Sequence, residues 1–411
     1  MAAALGVSLC LGRTLGASGL GIINLASQTV TLLLVVTMFG MDNVLIKRIA
    51  IAYERGDQRQ IGNSFYTSSV INGLLAGAIT VLGAVLAPWL SRRVFHAPAL
   101  EIPLIIFISV IVPQTFSRIF AAGLSGFRKI WQSSLVNDAL SVWVVGIGLI
   151  VFFCAGIRTT VVSVAVLYAA GRLAVFASTG LYWRRLFRYS GPKQFIPGPM
   201  LTMALPLLVV SGTSVITSSA DAVMLGWLGT SREVGLYSVA AKLALLESFF
   251  LIVSNSAISP KIASLFAEGK ISDMEKMVKR TTLGLILIAV ASLTIFVLFG
   301  HFILELWGSE FRGAYAILVV LGVGQFFNIS TGCVGLLLIM CGHEKLQGYI
   351  SVTFLTLNLF LNYLLIRAYG AVGAAAATAL TIAGENVTKL AMAKWKVGIL
   401  TTPFVGGYTG S

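Results

Sequence analysis

Twelve long apolar segments, joined by short polar connections, run from one end of the chain to the other. Most reach the roughly 20 residues that a helix needs to cross the hydrocarbon core of a bilayer. Within that core, only helices and closed barrels satisfy their own backbone hydrogen bonds. Charged residues make up 11% of the 411, against about 25% in soluble domains, so the chain cannot build a water-soluble surface. We therefore predict an all-α integral membrane protein of about twelve transmembrane helices, at approximately 1–12, 22–41, 63–90, 101–123, 133–156, 160–182, 199–228, 234–258, 281–304, 313–341, 347–366 and 371–395.

The first segment is too short to cross a bilayer by itself. Its twelve residues form a helix of about 18 Å, against a hydrocarbon core of about 30 Å. A signal peptide is the alternative, but no Lys or Arg precedes the apolar run, as such a peptide requires. We expect a first helix truncated by a clipped or misassigned start.

The second half of the chain repeats the first. The tetrapeptide LGAS at 15–18 recurs as LGTS at 228–231, and RIA at 48–50 recurs as KIA at 261–263; both pairs lie 213 residues apart. A repeat in the same direction is a known transporter architecture. We predict two six-helix lobes, 1–190 and 191–411. The polar connection 183–198 contains several Gly and Pro residues, which break helices, and it joins the lobes.

The basic residues fix the expected orientation. The even-numbered loops and the C-terminal end hold 19 Lys and Arg, and the odd-numbered loops hold 7. Because cytoplasmic loops carry the excess of Lys and Arg, we expect both termini in the cytoplasm and a multi-pass protein of the cytoplasmic membrane. This placement accounts for the net charge of +14 without a nucleic-acid partner. The basic connection 183–198 also suits contact with anionic membrane lipids.

No pattern of residues indicates enzymatic chemistry. The four cysteines lie inside apolar segments without CxxC spacing, and the three histidines are isolated in the sequence. The nucleophile, phosphate-loop and metal-ligand motifs of enzymes are absent in a suitable context. We therefore expect no catalytic residue, no metal and no cofactor.

Within the first eleven predicted spans there are three Lys or Arg residues, at positions where a charge costs about 2.5–3.5 kcal/mol on insertion scales and indicates function. They are Arg118, Arg172 and Lys242. A cavity that holds them suits an anionic head group, since Arg binds phosphate oxygens with two hydrogen bonds. For Arg118 the alternative is a side chain that extends to the cytoplasmic head groups. Arg172 is too central in its span for that.

Acidic residues also lie within the spans. Asp221 and Lys242 are each about ten residues from the turn between spans seven and eight, so we predict an ion pair between them. Asp221 then tunes or couples a transport cycle, or alternatively the pair only holds two helices together. Glu247 has no obvious local partner; a carboxylate held protonated there is a candidate proton carrier. Glu385 tunes or couples a transport cycle, or alternatively it only pairs with Lys389, which lies four residues further along the same helix. Asp138 complements the N-terminus of its helix.

Short motifs along most of the chain resemble the polysaccharide transporter family of oligosaccharide flippases (the PST or Wzx type), within the superfamily that also holds the MATE-type multidrug exporters (the MOP superfamily). They are RTLG at 13–16, GLG at 19–21, LP at 205–206, Asp221 with MLG at 224–226, VGLYSVAAK at 234–242, SPKIA at 259–263, WGSEF at 307–311 and YGAVGAA at 369–375.

The resemblance implies a MATE-like fold of two six-helix bundles around a central cavity that opens to each side in turn. It also implies the substrate, a polyprenyl-pyrophosphate-linked oligosaccharide (an O-antigen, capsule or exopolysaccharide repeat unit) that moves from the inner to the outer leaflet. Further expected partners are a polysaccharide polymerase and chain-length machinery. The alternatives are a MATE-like drug or cation antiporter and a membrane polysaccharide polymerase or ligase. The latter calls for a large outward loop, which is absent here.

Overall fold

The computed structural model describes residues 2–189 and 191–402, without the side chains of residues 2, 138, 139 and 210, so the predicted role of Asp138 lies outside it. The described residues form α-helices joined by short turns, and they contain no β-strand. The helices are α1 (Ala2–Met38), α2 (Met41–Glu54), α3 (Gln58–Trp89), α4 (Glu101–Ser109), α5 (Ile111–Gly126), α6 (Ile130–Ser134), α7 (Leu140–Cys154), α8 (Val161–Leu186), α9 (Pro197–Leu228), α10 (Ser231–Ala267), α11 (Ile271–Glu305), α12 (Tyr315–Ser330), α13 (Val334–Met340) and α14 (Glu344–Val397). Two π-helical turns, Leu90–Val94 and Leu135–Ala139, and two 3-10 turns, Pro98–Leu100 and Ser309–Ala314, complete the set.

The described residues hold seven helices that are long and apolar enough to cross a membrane, and up to ten spans if each of three bent helix pairs is one span. One such pair, Pro98–Ser109 with Ile111–Gly126, is bent by 41°. Pro113 explains where this bend occurs, because the proline ring clashes with the carbonyl four residues earlier. Glycines break α1 at Gly16 and α14 at Gly370, so each of these helices covers two predicted segments. The predicted all-α, multi-span class is confirmed.

The break in α14 is a full reversal of the chain. Gly370 has φ +57°, ψ −134°, a conformation that only glycine adopts readily. Pairs of residues on either side then meet: Asn358 Nδ2 donates to Thr381 Oγ1 at 3.1 Å, and Ser351 Oγ donates to Glu385 Oε1 at 2.8 Å. In sequence, the midpoint of each pair lies within two residues of Gly370. The two arms, 344–369 and 371–397, are therefore antiparallel helices, as the two predicted segments require.

Packing divides the chain into two compact units, Met1–Arg232 and Glu233–Ser411. The first unit includes α9, because α9 packs against α1 and α2. Met200 and Ala204 of α9 share a buried cluster with Met41 and Val44 of α2. The lobes predicted from the repeat, 1–190 and 191–411, follow the sequence similarity rather than these contacts, and that boundary stays a prediction.

An aromatic cluster closes one end of the first unit. Trp183 of α8 is 4% exposed, and its ring stacks on Phe65 of α3 with centroids 4.6 Å apart. Phe127 and Phe187 lie 5.5 and 5.6 Å from the same ring. The Trp183 ring lies directly on Gly123 of α5, where a Cβ atom would come within 2.5 Å of it. Because Gly123 has no side chain, α5 and α8 can approach each other this closely.

The connection between α8 and α9 is fastened to α3 rather than loose. The backbone N–H of Gln194 donates to Oδ1 of Asn63 at 2.8 Å, and that of Ile196 donates to Oγ1 of Thr67 at 3.0 Å. Asn63 and Thr67 are one turn apart on α3 and both are buried. These two hydrogen bonds fix the path of the segment.

The second unit is built on α10 to α14. Leu251 of α10, Leu285 and Ala289 of α11, and Ile329 of α12 form one buried apolar cluster. A second cluster joins α10, α11, α13 and α14 through residues such as Ile262, Val278, Leu337 and Ala393, each 0% exposed.

We predict that Gly123→Ala destabilises the protein by about 1–3 kcal/mol, because the added methyl group overpacks against an indole ring that has no room to move. Gly77→Ala in α3 is the matched control: nothing lies within 4 Å of its Cβ position, and the helix propensity of Ala favours it slightly. The apparent midpoint of thermal unfolding of the detergent-purified protein checks both. Equal midpoints for the two variants would contradict the close packing of α5 and α8.

Candidate functional site

In the first unit, Arg172 of α8 opens onto a small polar cavity. The cavity volume is about 20 Å³, which is room for about one water molecule. Its polar lining comes from Ser27, Thr31, Gln114, Tyr168 and Arg172, and its apolar lining from Val30, Phe107 and Val110. Residues of α1, α4, α5 and α8 thus surround the guanidinium, and they place its half-buried charge against hydroxyl and amide groups.

Arg118 lies on α5, one helical turn beyond Gln114, which lines that cavity. The side chain of Arg118 is half-buried, and α5 packs against α8. Arg118 and Arg172 are therefore on neighbouring helices of one unit. Their joint role in holding a substrate stays a prediction.

The predicted partners Asp221 and Lys242 fall in different compact units. Asp221 of α9 is 7% exposed and lies in the first unit. Lys242 of α10 is half-buried and lies in the second. Their pairing stays a prediction.

Glu247 is the most unusual titratable group in the second unit. It is 2% exposed, and neither carboxylate oxygen has a hydrogen-bond partner among the described residues. Buried polar groups are nearly always hydrogen-bonded, and a buried charge without a partner is very costly. Its isolation therefore agrees with the sequence analysis, which found no local partner for it.

Glu247 lies beside a chain of amide side chains. Ser248 Oγ donates to Gln325 Oε1 at 2.7 Å, and Asn328 Nδ2 donates to the same oxygen at 3.0 Å. Asn386 Nδ2 in turn donates to Asn328 Oδ1 at 3.2 Å. Glu247 lies one turn before Leu251 on α10, and Gln325 lies one turn before Ile329 on α12. Leu251 and Ile329 belong to the same buried cluster, so the Glu247 carboxylate lies at the level of this chain of amides.

The sequence analysis missed these amide residues. Gln325, Asn328 and Asn386 are neutral, so they did not stand out as charges do, although an amide inside an apolar span is itself a signal. The same holds for Asn358, which is 5% exposed and bonds Asn362 as well as Thr381.

Glu385 is paired. Lys389 Nζ lies 2.8 Å from its Oε1, and Ser351 Oγ donates to the same oxygen at 2.8 Å. The i, i+4 pairing with Lys389 is confirmed, and the role of Glu385 in coupling stays a prediction. Glu247 and Glu385 thus differ sharply: Glu385 has a cation and a hydroxyl as partners, and Glu247 has neither among the described residues.

Comparison with known proteins decides the family. The family model described as "Polysaccharide biosynthesis protein" matches residues 1–266, well over half of the chain. The chain belongs to the polysaccharide biosynthesis protein family. The predicted family is thereby confirmed. The MatE family model also matches residues 206–364.

Relatives and solved structures agree with that placement. The chain is 22% identical to the "Probable low-salt glycan biosynthesis flippase Agl15" of Haloferax volcanii, over 91% of this chain and 76% of the relative. In fold it is similar to an inward-facing MATE family multidrug resistance transporter of the MOP superfamily, with a TM-score of 0.80, 13% identity, and coverage of 97% and 95% of the two chains. It is also similar to the lipid II flippase MurJ, with a TM-score of 0.77, 16% identity, and coverage of 96% and 85%. The chain therefore has a MATE-like fold and is a multi-pass integral membrane protein.

We predict opposite stability effects for substitutions of Glu385 and Glu247. Glu385→Gln leaves the Lys389 ammonium, 12% exposed, without its counter-charge, and we expect a loss of about 1–3 kcal/mol. Glu247→Gln keeps the shape of the side chain and removes a group that is costly to bury as an ion, so we expect stability equal to or above that of the unmodified protein.

The apparent midpoint of thermal unfolding in detergent, measured for both variants in the same buffer, checks this contrast. A Glu247→Gln variant that loses as much stability as Glu385→Gln would show that the Glu247 carboxylate has a stabilising partner.

Proposed function

We propose that the protein is a flippase that moves a polyprenyl-pyrophosphate-linked oligosaccharide from the inner to the outer leaflet of the cytoplasmic membrane by alternating access. The observation that carries this proposal is the match of the polysaccharide biosynthesis family over residues 1–266. The similarity to a relative named as a glycan biosynthesis flippase, over 91% of the chain, supports it. The excess of Lys and Arg in the even-numbered loops supports cytoplasmic placement of both termini.

The embedded cations are proposed to hold the charged head of the substrate. A pyrophosphate cannot cross about 30 Å of hydrocarbon at a reasonable cost unless counter-charges line its path. Arg118 and Arg172 supply guanidinium groups, which bind phosphate oxygens with paired hydrogen bonds, and Lys242 supplies a third charge. The polar cavity at Arg172 supports this assignment, because water already has room beside the guanidinium.

The carboxylates are proposed to couple the cycle to an ion. Glu247 supports this most directly, since its oxygens are buried without hydrogen-bond partners in residues 2–189 and 191–402. Binding of a proton or a metal cation would remove the cost of its charge. Asp221 and Glu385 are proposed to adjust the same cycle through their own ion pairs. A polysaccharide polymerase and chain-length machinery would consume the product on the outer side, and these are the proposed protein partners.

Reconstitution tests the substrate and the cations together. In proteoliposomes that contain a fluorescent polyprenyl-pyrophosphate oligosaccharide, we expect Arg172→Gln combined with Lys242→Gln to slow flipping at least about tenfold, which is the loss of one charge-assisted contact. Arg158→Gln is the control, because Arg158 is an exposed residue of the connection between α7 and α8 and its loss changes the charge without touching a span.

Both variants should insert normally, which the amount of protein in the membrane fraction checks. Unchanged flipping in the double variant would refute the role of the two cations, and absence of flipping by the unmodified protein would refute the proposed substrate.

A second function, MATE-like exchange of a drug or cation, has one specific observation in its favour: the MatE match over residues 206–364. Cells that produce the protein would then tolerate higher concentrations of cationic dyes. We expect no such tolerance, because the three embedded cations repel a cationic substrate. A membrane polymerase or ligase has no comparable observation in its favour.

A further inference from the structure

A second and larger cavity lies at one end of the first unit, away from the embedded charges. It is a cleft of about 410 Å³, within the range of small-molecule sites. Its walls come from the ends of α2, α3, α5 and α8, and include Tyr53, Gln58, Phe127, Arg185 and Arg188. These residues are far apart in the sequence, so the cleft exists only in the folded unit.

The cleft presents free positive charge. Arg185 and Arg188 are both exposed, and neither forms an ion pair or a hydrogen bond within the described part of the chain. The carboxylates nearest in sequence to its lining are otherwise engaged. Glu54 pairs with Arg128, and Asp57 accepts a hydrogen bond from the backbone N–H of Gln60 at 2.9 Å. Two guanidinium groups with unused donors are what a phosphate group requires.

The other side of the cleft is aromatic and rigid. Phe127 and Phe187 line it, and their rings lie 6.0 Å apart against the buried Trp183. Tyr53 packs edge-on against Phe127 at 5.1 Å. The segment that carries Phe187 and Arg188 is held in place downstream by Asn63 and Thr67. The site is therefore prebuilt, which reduces the entropic cost of binding.

The position of the cleft favours a lipid as the source of the phosphate. It lies where α8 ends in Arg184 and Arg185, on the side that the distribution of basic residues assigns to the cytoplasm. On the same side, Trp131 of α6 is 70% exposed, as is typical of the head-group zone. A ligand that joins a phosphate to an apolar body would meet the guanidinium groups at one end and the aromatic wall at the other.

We propose that this cleft binds the phosphate head group of an anionic phospholipid of the cytoplasmic leaflet, with Arg185 and Arg188 on the phosphate oxygens and Phe127 and Phe187 against the glycerol and upper acyl carbons. The site does not depend on the transported substrate, because none of its residues belongs to the proposed transport pathway.

Native mass spectrometry of the detergent-purified full chain, titrated with phosphatidylglycerol, phosphatidylcholine or inorganic phosphate, tests this site. We expect phosphatidylglycerol to bind at least about tenfold more tightly than phosphatidylcholine, and R185Q/R188Q to remove that preference. The matched control is R184Q/K193Q, which removes the same two charges from exposed residues nearby that do not line the cleft; it should keep the preference. R185K/R188K keeps the charge but loses the paired hydrogen bonds, and we expect it to retain part of the preference.

Three outcomes would overturn the proposal. Equal loss in R185Q/R188Q and R184Q/K193Q would mean that lipid responds only to total charge. Binding of inorganic phosphate without binding of phosphatidylglycerol would mean that the site takes a free anion. An unchanged lipid preference in R185Q/R188Q would place the lipid elsewhere. Size-exclusion elution and unfolding midpoints confirm that the variants are folded, as expected for exposed side chains.

Discussion

The hydrocarbon of a bilayer offers no hydrogen-bond partner to a backbone group, and this constraint governs where the helices of this protein can break. Breaks occur where one residue supplies the reason: Gly370 turns α14 back on itself with a left-handed conformation, and Pro113 bends the α4–α5 pair. Where the chain leaves helical structure after α8, side chains supply the hydrogen bonds to its backbone. Asn63 and Thr67 accept hydrogen bonds from two backbone N–H groups of this segment.

The same constraint applies to side chains, and the second unit meets it unevenly. Glu385 has Lys389 and Ser351 as partners, and the amides of Gln325, Asn328 and Asn386 satisfy one another. Glu247 is buried at the level of these amides, and its carboxylate has no hydrogen-bond partner in the part of the chain that the structure describes. A buried carboxylate without a partner, next to polar groups that have partners, is the candidate group for binding a coupling ion.

The sequence predicted what depends on local pattern. The length of the apolar segments predicted the all-α, multi-span class, and the i, i+4 spacing of Glu385 and Lys389 predicted their ion pair. Contacts between helices that are far apart in sequence do not follow from local pattern. The packing of Met200 and Ala204 of α9 against α2 is one such contact. Neutral Asn and Gln residues carry no charge to draw attention, and the Arg185–Arg188 cleft joins the ends of four helices that only tertiary structure brings together.

The tight turn at Gly370 also bears on how the end of the chain enters the membrane. The two arms of α14 are joined by almost no loop, and Asn358–Thr381 and Ser351–Glu385 bond across them. Near the tip, Arg367 lies over the ring of Tyr363 at 4.2 Å, which lessens the cost of carrying one charge across. The arms can leave the translocon together as a preformed helical hairpin, with little polar chain to translocate. The hairpin geometry favours insertion of the two arms of α14 as one unit.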